Sequence, residues 1–217
     1  MNAAPALALI AFGSYVLGSI SGSLLLGRLR GVDIRTLGSG NAGSTNAFRT
    51  QGLAFAIAVM TIDVGKAVLA TSVASRIGPQ LGATALNAAV VAAIAALIGH
   101  VWPALHGFRG GKGAATVVGS LLVLWPQGAL IGMLAWLPVL ILGGWVSLAT
   151  MCAGVVVFVA SVLCVPFVSQ PQISIYTGLV AAAMLWTHRS NIARLRAGTE
   201  HRFERARLLR KRAGPAP

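Results

Sequence analysis

The sequence predicts an all-α integral membrane protein: a seven-span helical bundle with its N-terminus outside and its C-terminus inside. Three observations predict it. Of 217 residues, 56% are hydrophobic and only 10% are charged, against roughly a quarter charged in soluble domains. The mean hydropathy is +0.80. The 17 Lys and Arg, set against 4 Asp and Glu, fall in three islands separated by apolar runs. A soluble globule of this composition would lack the polar side chains to cover its surface. A soluble enzyme, a disordered chain and a disulfide-stapled secreted module are therefore excluded.

The islands fix the topology. Segment 28–49 carries Arg28, Arg30, Arg35 and Arg49 against Asp33, and segment 109–112 carries Arg109 and Lys112. Segment 188–212 carries nine Lys and Arg against Glu200 and Glu204. Basic residues concentrate on the cytoplasmic side of membrane proteins, so all three islands are expected inside and the number of spans between them must be even. The first apolar run, 3–27, reads as one retained anchor, because Arg28 and Arg30 follow it and no basic n-region precedes it. Residues 52–106 hold two spans, near 53–75 and 81–105, with Gly78-Pro79-Gln80 as the outer turn. Residues 114–187 hold four, near 114–125, 128–142, 145–165 and 173–187, divided at Trp125–Gly128, Gly143-Gly144 and Pro166–Pro171. The first two of these four are short of the usual ~20 residues, and a re-entrant pair is the other way to place them. One domain, 1–204, precedes a basic then Pro/Ala-rich tail, 205–217, expected to be disordered and attracted to anionic lipid rather than to nucleic acid. Cys152 and Cys164 lie in apolar stretches and are expected to be buried small hydrophobes. No Cys/His cluster suggests a metal.

Glycine-rich polar motifs occupy the islands. Gly38-Ser39-Gly40-Asn41-Ala42-Gly43 fits GxGxxG, and Asp63 lies 20 residues beyond Gly43. A dinucleotide fold is still excluded, because that fingerprint needs a preceding strand and here membrane spans flank it. The stretch offers close backbone approach at its glycines, neutral donors at Ser39, Thr45 and the Asn side chains, and a bidentate phosphate binder at Arg49. The second motif, Gly99–Thr116, is not a nucleotide P-loop: His106 stands where the first Gly should be and Gly113 replaces Ser/Thr. Its Gly110-Gly111-Lys112 turn nevertheless feeds a helix N-terminus and reads as an anion cradle. A snorkelling Lys is the plainer alternative. In the third motif, His188 and Asn191 are spaced i, i+3 and would share a helix face. Asp63 and Lys66, also i, i+3, fall inside a span. They read either as a self-paired structural couple or as support for the pocket from behind, and Asn87 carries the same ambiguity. His106 reads as a packing or interfacial residue.

Taken together, the three motifs resemble those of the bacterial acyl-phosphate:glycerol-3-phosphate acyltransferase family. Gly38–Arg49 is similar to GSGNxGATNxxR, with Ser44 in place of Ala; Gly99–Thr116 is similar to GHxxPxxxxFxGGKGxAT; and His188–Glu200 is similar to HRxNIxRLxxGxE. The resemblance covers the chain to about residue 204. It implies an enzyme of the bacterial cytoplasmic (inner) membrane, with its site facing the cytoplasm. Such an enzyme transfers a fatty acyl group from acyl phosphate to the 1-hydroxyl of sn-glycerol 3-phosphate, giving lysophosphatidic acid and phosphate, the first step of phospholipid synthesis. It implies Ser39, Arg49, Lys112, His188 and Asn191 as catalytic residues. Gly40, Asn41, Thr45, Asn46, Gly110 and Gly111 are implied around the phosphates, with Asn41 and Asn46 also bracing the loop. No cofactor is implied. Contact with membrane lipid is expected, and so is contact with the enzyme that makes the acyl phosphate.

Two rival functions are weaker. An anion transporter would want ionisable groups along a midplane path, whereas the polar clusters sit on one face. A CDP-alcohol phosphotransferase needs several acidic metal ligands, and four acids in the whole chain do not supply them.

Overall fold

The computed structural model describes residues 3–166 and 169–203, so Glu204 and the tail 205–217 lie outside the described residues. All regular structure among the described residues is helical. The helices are α1 (Ala4–Gly18), α2 (Gly22–Leu29), α3 (Ser44–Gln51), α4 (Leu53–Ile77), α5 (Ala85–Val101), α6 (Ala114–Leu124), α7 (Pro126–Gly143), α8 (Val146–Cys164), α9 (Pro171–Thr187) and α10 (Arg189–Arg196). Prolines open α1, α7 and α9, where the missing N–H has no intrahelical partner to lose.

Each expected apolar run is helical, with boundaries close to those read from the sequence. Four helices are long and apolar enough to cross a membrane: α4, α5 extended to His106, α7 and α8. The run 3–27 is not one straight helix. It breaks between Gly18 and Gly22 and bends by 42°, and the pair makes a fifth crossing element if counted as one span. α6 has 11 residues, about 16 Å at 1.5 Å per residue, roughly half of a hydrocarbon core.

α5 is the central helix. Its alanine face, including Ala88, Ala92, Ala93 and Ala96, is fully buried, and it packs against α1, α4, α6 and α9. Apolar side chains gain little by leaving lipid for protein, so close backbone approach supplies the packing. Gly18 lies against the Ala96 backbone, and Gly99 lies against the Tyr15 carbonyl; a Cβ at either position would overlap main-chain atoms. Polar contacts add to this. Ser161 and Thr177 join α8 to α9 at 2.7 Å, and Tyr176 meets Ser120 across α9 and α6. α7, by contrast, is largely uncovered, with Leu130, Met133 and Leu134 all more than half exposed. Cys152 is only partly buried and Cys164 is exposed, which corrects the expectation of two core cysteines; Cys164 ends α8, at the edge of the packed interior.

The break in the first run has a physical support. It leaves the Gly18 and Ile20 carbonyls and the Gly22 N–H without helical partners. An unsatisfied backbone group in lipid costs several kcal/mol. Lys66 Nζ donates to Gly18 O (2.9 Å) and Ile20 O (2.7 Å), and Gly22 N–H donates to Asp63 Oδ1 (3.1 Å). Lys66 and Asp63 also pair directly at 3.0 Å. The couple in the middle of α4 is thus self-paired and also holds the bend. Asn87 is structural: its Oδ1 accepts from Gln172 Nε2 at 2.9 Å, tying α5 to α9.

Candidate active site

Residues from all three islands line one cavity of about 100 Å³. Ser39, Asn41, Thr45, Asn46 and Arg49 come from the first, Lys112 from the second, and His188 and Asn191 from the third. Three helices, α3, α6 and α8, begin at its wall with Ser44, Ala114 and Val146. Each helix start directs unpaired N–H groups and partial positive charge at the space they share. The start of α6 requires Gly113, whose φ is +92°, a conformation that an L side chain resists.

The loop before α3 is braced from within. Asn46 is 1% exposed. Its Oδ1 accepts from Ser39 N–H (2.9 Å), and its Nδ2 donates to Ile34 O (3.1 Å) and Leu37 O (3.0 Å). Its side chain is fully engaged, so it shapes the loop and offers no donor to a phosphate. Arg35 ties this loop to the second island: it chelates Asp33 and donates Nη1 to His106 O (3.0 Å). His106 therefore anchors through its backbone rather than by packing.

Three expected glycines do not reach the cavity. Gly40 and Gly110 border a neighbouring hollow with Arg35, His106 and Arg109. The Gly110 and Gly111 amides, read from sequence as free phosphate donors, are engaged: Gly110 N–H donates to Val101 O (3.2 Å) and Gly111 N–H to His100 O (3.1 Å). These glycines serve close approach instead. A Cβ at Gly110 would overlap the His100 carbonyl, and one at Gly111 would overlap the His100 ring. The effect is to fold the turn back on the end of α5 and present Lys112.

Lys112 donates to Asn191 Oδ1. Asn191 Nδ2 donates to Glu200 Oε1 (2.6 Å), Ser147 Oγ donates to the same oxygen (2.7 Å), and Arg194 Nε donates to Oε2 (2.7 Å). Burial opposes the charge on Glu200, but the hydrogen bonds from Asn191, Ser147 and Arg194 hold its carboxyl below the usual range. Three cations, Arg49, Lys112 and Arg194, stand against this one carboxylate, leaving a surplus of two positive charges. Burial, together with the positive charges of Arg194 and Arg49, brings the Lys112 ammonium down to about 8 against the attraction of Glu200. Burial also lowers Arg49 from its ordinary value.

His188, at the junction of α9 and α10, has Nδ1 2.7 Å from Met184 O. A carbonyl can only accept, so Nδ1 carries the proton and Nε2 remains the ring's acceptor. Burial and the neighbouring Lys112 push its pKa down to about 4, which keeps the ring neutral near pH 7.

Sequence reasoning gave no role to Glu200, Ser147 or Arg194. Glu200 and Arg194 were within the third motif, but their joint task depends on Ser147, 53 residues away from Glu200. The segment bearing Glu200 crosses the site. Phe203 N–H donates to Gly144 O (2.7 Å), its ring meets Phe48 edge-on at 5.3 Å, and Arg202 lies 4.4 Å over Trp145.

The profile of the family described as glycerol-3-phosphate acyltransferase matches residues 8–198. A glycerol-3-phosphate acyltransferase of Halalkalibacterium halodurans is 41% identical over 204 residues, covering 91% of this chain and 95% of the relative. One of Myxococcus xanthus is 41% identical over 197 residues, covering 90% and 98%. Among solved structures, the glycerol 3-phosphate form of PlsY (YgiH), an integral membrane glycerol 3-phosphate acyltransferase, superposes with a TM-score of 0.82 at 31% identity, covering 91% of this chain and 96% of that one. A second form, with lysophosphatidic acid, gives a TM-score of 0.80 at 30% identity over 91% and 95%. This chain belongs to the glycerol-3-phosphate acyltransferase family.

Proposed function

We propose that this chain transfers a fatty acyl group from acyl phosphate to the 1-hydroxyl of sn-glycerol 3-phosphate, giving 1-acylglycerol 3-phosphate and phosphate. The observation that carries the reading is the surplus of positive charge, with three helix starts, around one small cavity. Both substrates bear phosphate, and two such groups a few ångströms apart repel by ~1 kcal/mol in water and several times more at lower effective dielectric. Lys112, Arg49 and Arg194 offset that repulsion. Ser39, Thr45 and Lys112 hold the phosphate of the acyl donor, and Arg49 with Lys112 holds the glycerol phosphate. Asn41 borders the same space.

The 1-hydroxyl oxygen attacks the acyl carbonyl carbon, a C–O ester bond forms, and the bond from that carbon to the phosphate oxygen breaks. The proton must go to a base. His188, with its pKa near 4, is a poor one; its Nε2 suits accepting a hydrogen bond and orienting the hydroxyl. The departing phosphate takes the proton itself, which makes the catalysis substrate-assisted. Asn191, fixed between Lys112 and Glu200, positions the ammonium.

Seven spans, N-terminus out and C-terminus in, follow if α9 and the short α6 are counted beside the four long apolar helices and the bent α1–α2 pair. The meeting of all three cationic islands supports a site on the cytoplasmic face of the inner membrane, where the acyl tail lies among helices and lipid. A transfer assay in detergent with purified protein, comparing acyl phosphate, acyl-CoA and acyl carrier protein as donors, tests the reading. Transfer with phosphate release from acyl phosphate alone is expected; equal transfer from acyl-CoA overturns the donor assignment.

A further inference from the structure

The two loops that bring Arg49 and Lys112 together are anchored unequally. The loop before α3 rests on a firm base: Ile34 is fully buried with Ala47, Phe55 and Val59, and Asn46 holds three of the loop's backbone groups. The turn that delivers Lys112 is fixed at its inner end. There the Gly110 and Gly111 N–H groups meet the end of α5, and the His100 ring beside Gly111 has Nδ1 2.8 Å from Lys66 Nζ. The outer part, 103–109, is exposed. Leu105 and Phe108 are both more than half uncovered, and Gly107 and Phe108 have φ of +66° and +59°. Its own hydrogen bonds are local, with His106 and Phe108 N–H both donating to Pro103 O. Among the described residues, the hydrogen bonds that reach it from elsewhere all come from Arg35 Nη1, to His106 O (3.0 Å) and Arg109 O (3.4 Å).

Arg35 is built for this task. Asp33 takes its Nε and Nη2 edge at 3.0 and 2.8 Å, and the same carboxylate accepts the Arg35 backbone N–H at 2.9 Å. That fixes the guanidinium plane and points Nη1 at the second loop. An ammonium is a single centre and cannot hold both edges. The two side chains are 31% and 40% exposed, and an ion pair so open to water adds little stability; its value lies in geometry. The clamp also stays out of the cavity. Arg35 borders the hollow on the other side of both loops, with Gly40 and Gly110, whereas Ser39 and Lys112 face the cavity. We infer that Arg35, oriented by Asp33, is a positioning residue for acyl transfer: it sets Lys112 at the distance from Arg49 at which both cations meet one phosphate. This rests on glycerol 3-phosphate being the acceptor, as proposed above.

The test compares purified Arg35→Gln, Arg35→Lys and Asp33→Asn with wild type. A misplacement of about 1 Å can cost roughly a hundredfold. KM for glycerol 3-phosphate should therefore rise by about tenfold or more in all three, with kcat falling less and thermal unfolding unchanged. Lys112, released toward water, should titrate higher and carry the basic limb of kcat/KM upward in pH. Asp33→Asn separates position from charge. It keeps the Arg35 charge and removes a negative one, so a role through the electrostatic field alone lowers KM and moves the limb down. That result overturns the inference, and so does a wild-type KM in Arg35→Lys. A loss of activity that tracks lowered thermal unfolding in all three also overturns it, because Arg35 would then be a stabilising residue only. Wild-type protein that transfers no acyl group to glycerol 3-phosphate overturns the proposed function, and this inference with it.

Discussion

Around Lys112, one carboxylate answers three cations and the arrangement faces a cavity, with Glu200 anchored by Asn191, Ser147 and Arg194. Around Lys66, one carboxylate answers one ammonium, and the remaining donors go to the broken backbone between α1 and α2. The outer cluster keeps an excess of charge where anions are to arrive. The inner one is balanced, because a net charge among membrane helices would have nothing to offset it. Two ion-paired networks in one small protein thus answer different needs, and the difference lies in whether the charges sum to zero.

Substitution should separate them. The largest effects belong to the outer cluster: Lys112→Ala, Arg49→Ala and Asn191→Ala should each reduce kcat/KM by roughly a thousandfold or more, with size-exclusion profiles and thermal unfolding in detergent close to wild type. Full activity in any two of these would overturn the site assignment. Lys66→Met should instead unfold the protein more readily, by about 3–5 kcal/mol, because it strands Asp63 and the two carbonyls of the bend; thermal unfolding reads this directly.

A pH profile sharpens the contrast. Lys112, lowered to about 8, loses its positive charge as pH rises through that value. In kcat/KM for glycerol 3-phosphate, a basic limb near pH 8 should appear, falling about tenfold per unit, and Lys112→Arg should move it upward. An acid limb at about pH 6 should follow the second ionisation of glycerol 3-phosphate itself and not His188, whose pKa burial and Lys112 push down to about 4. Phe203→Ala, loosening the segment that carries Glu200, should raise KM only a few-fold. Smallest of all, deletion of 205–217 should leave detergent activity nearly intact; a collapse would give the tail a catalytic or structural part.

Much of the fold was legible because lipid imposes a coarse rule. Runs such as 53–75 and 145–165 must be helical if they are apolar and long, and α4 and α8 follow them closely. The bend after Gly18 was not legible: Ser19 to Ser21 contains no proline, and what stabilises it comes from Lys66, 48 residues beyond Gly18. At the site, Arg49, Lys112, His188 and Asn191 could be read because their residue types and motif spacing already suit anions. Gly110 and Gly111 misled for a definable reason. Glycine shows that something comes close, but not whether the visitor is a ligand or, as here, the end of α5. His100 was passed over because its meaning depends on Lys66 and Asp63, which share no motif with it.

The stretch from Gly198 to Phe203 carries one more implication. Every helix among the described residues precedes Glu200, and Glu200 and His201 complete the rim of the cavity. A chain cut just before Glu200 would keep every one of these helices and still lack the carboxylate that steadies Asn191 and Arg194. Competence for catalysis is therefore separable from the helical fold itself.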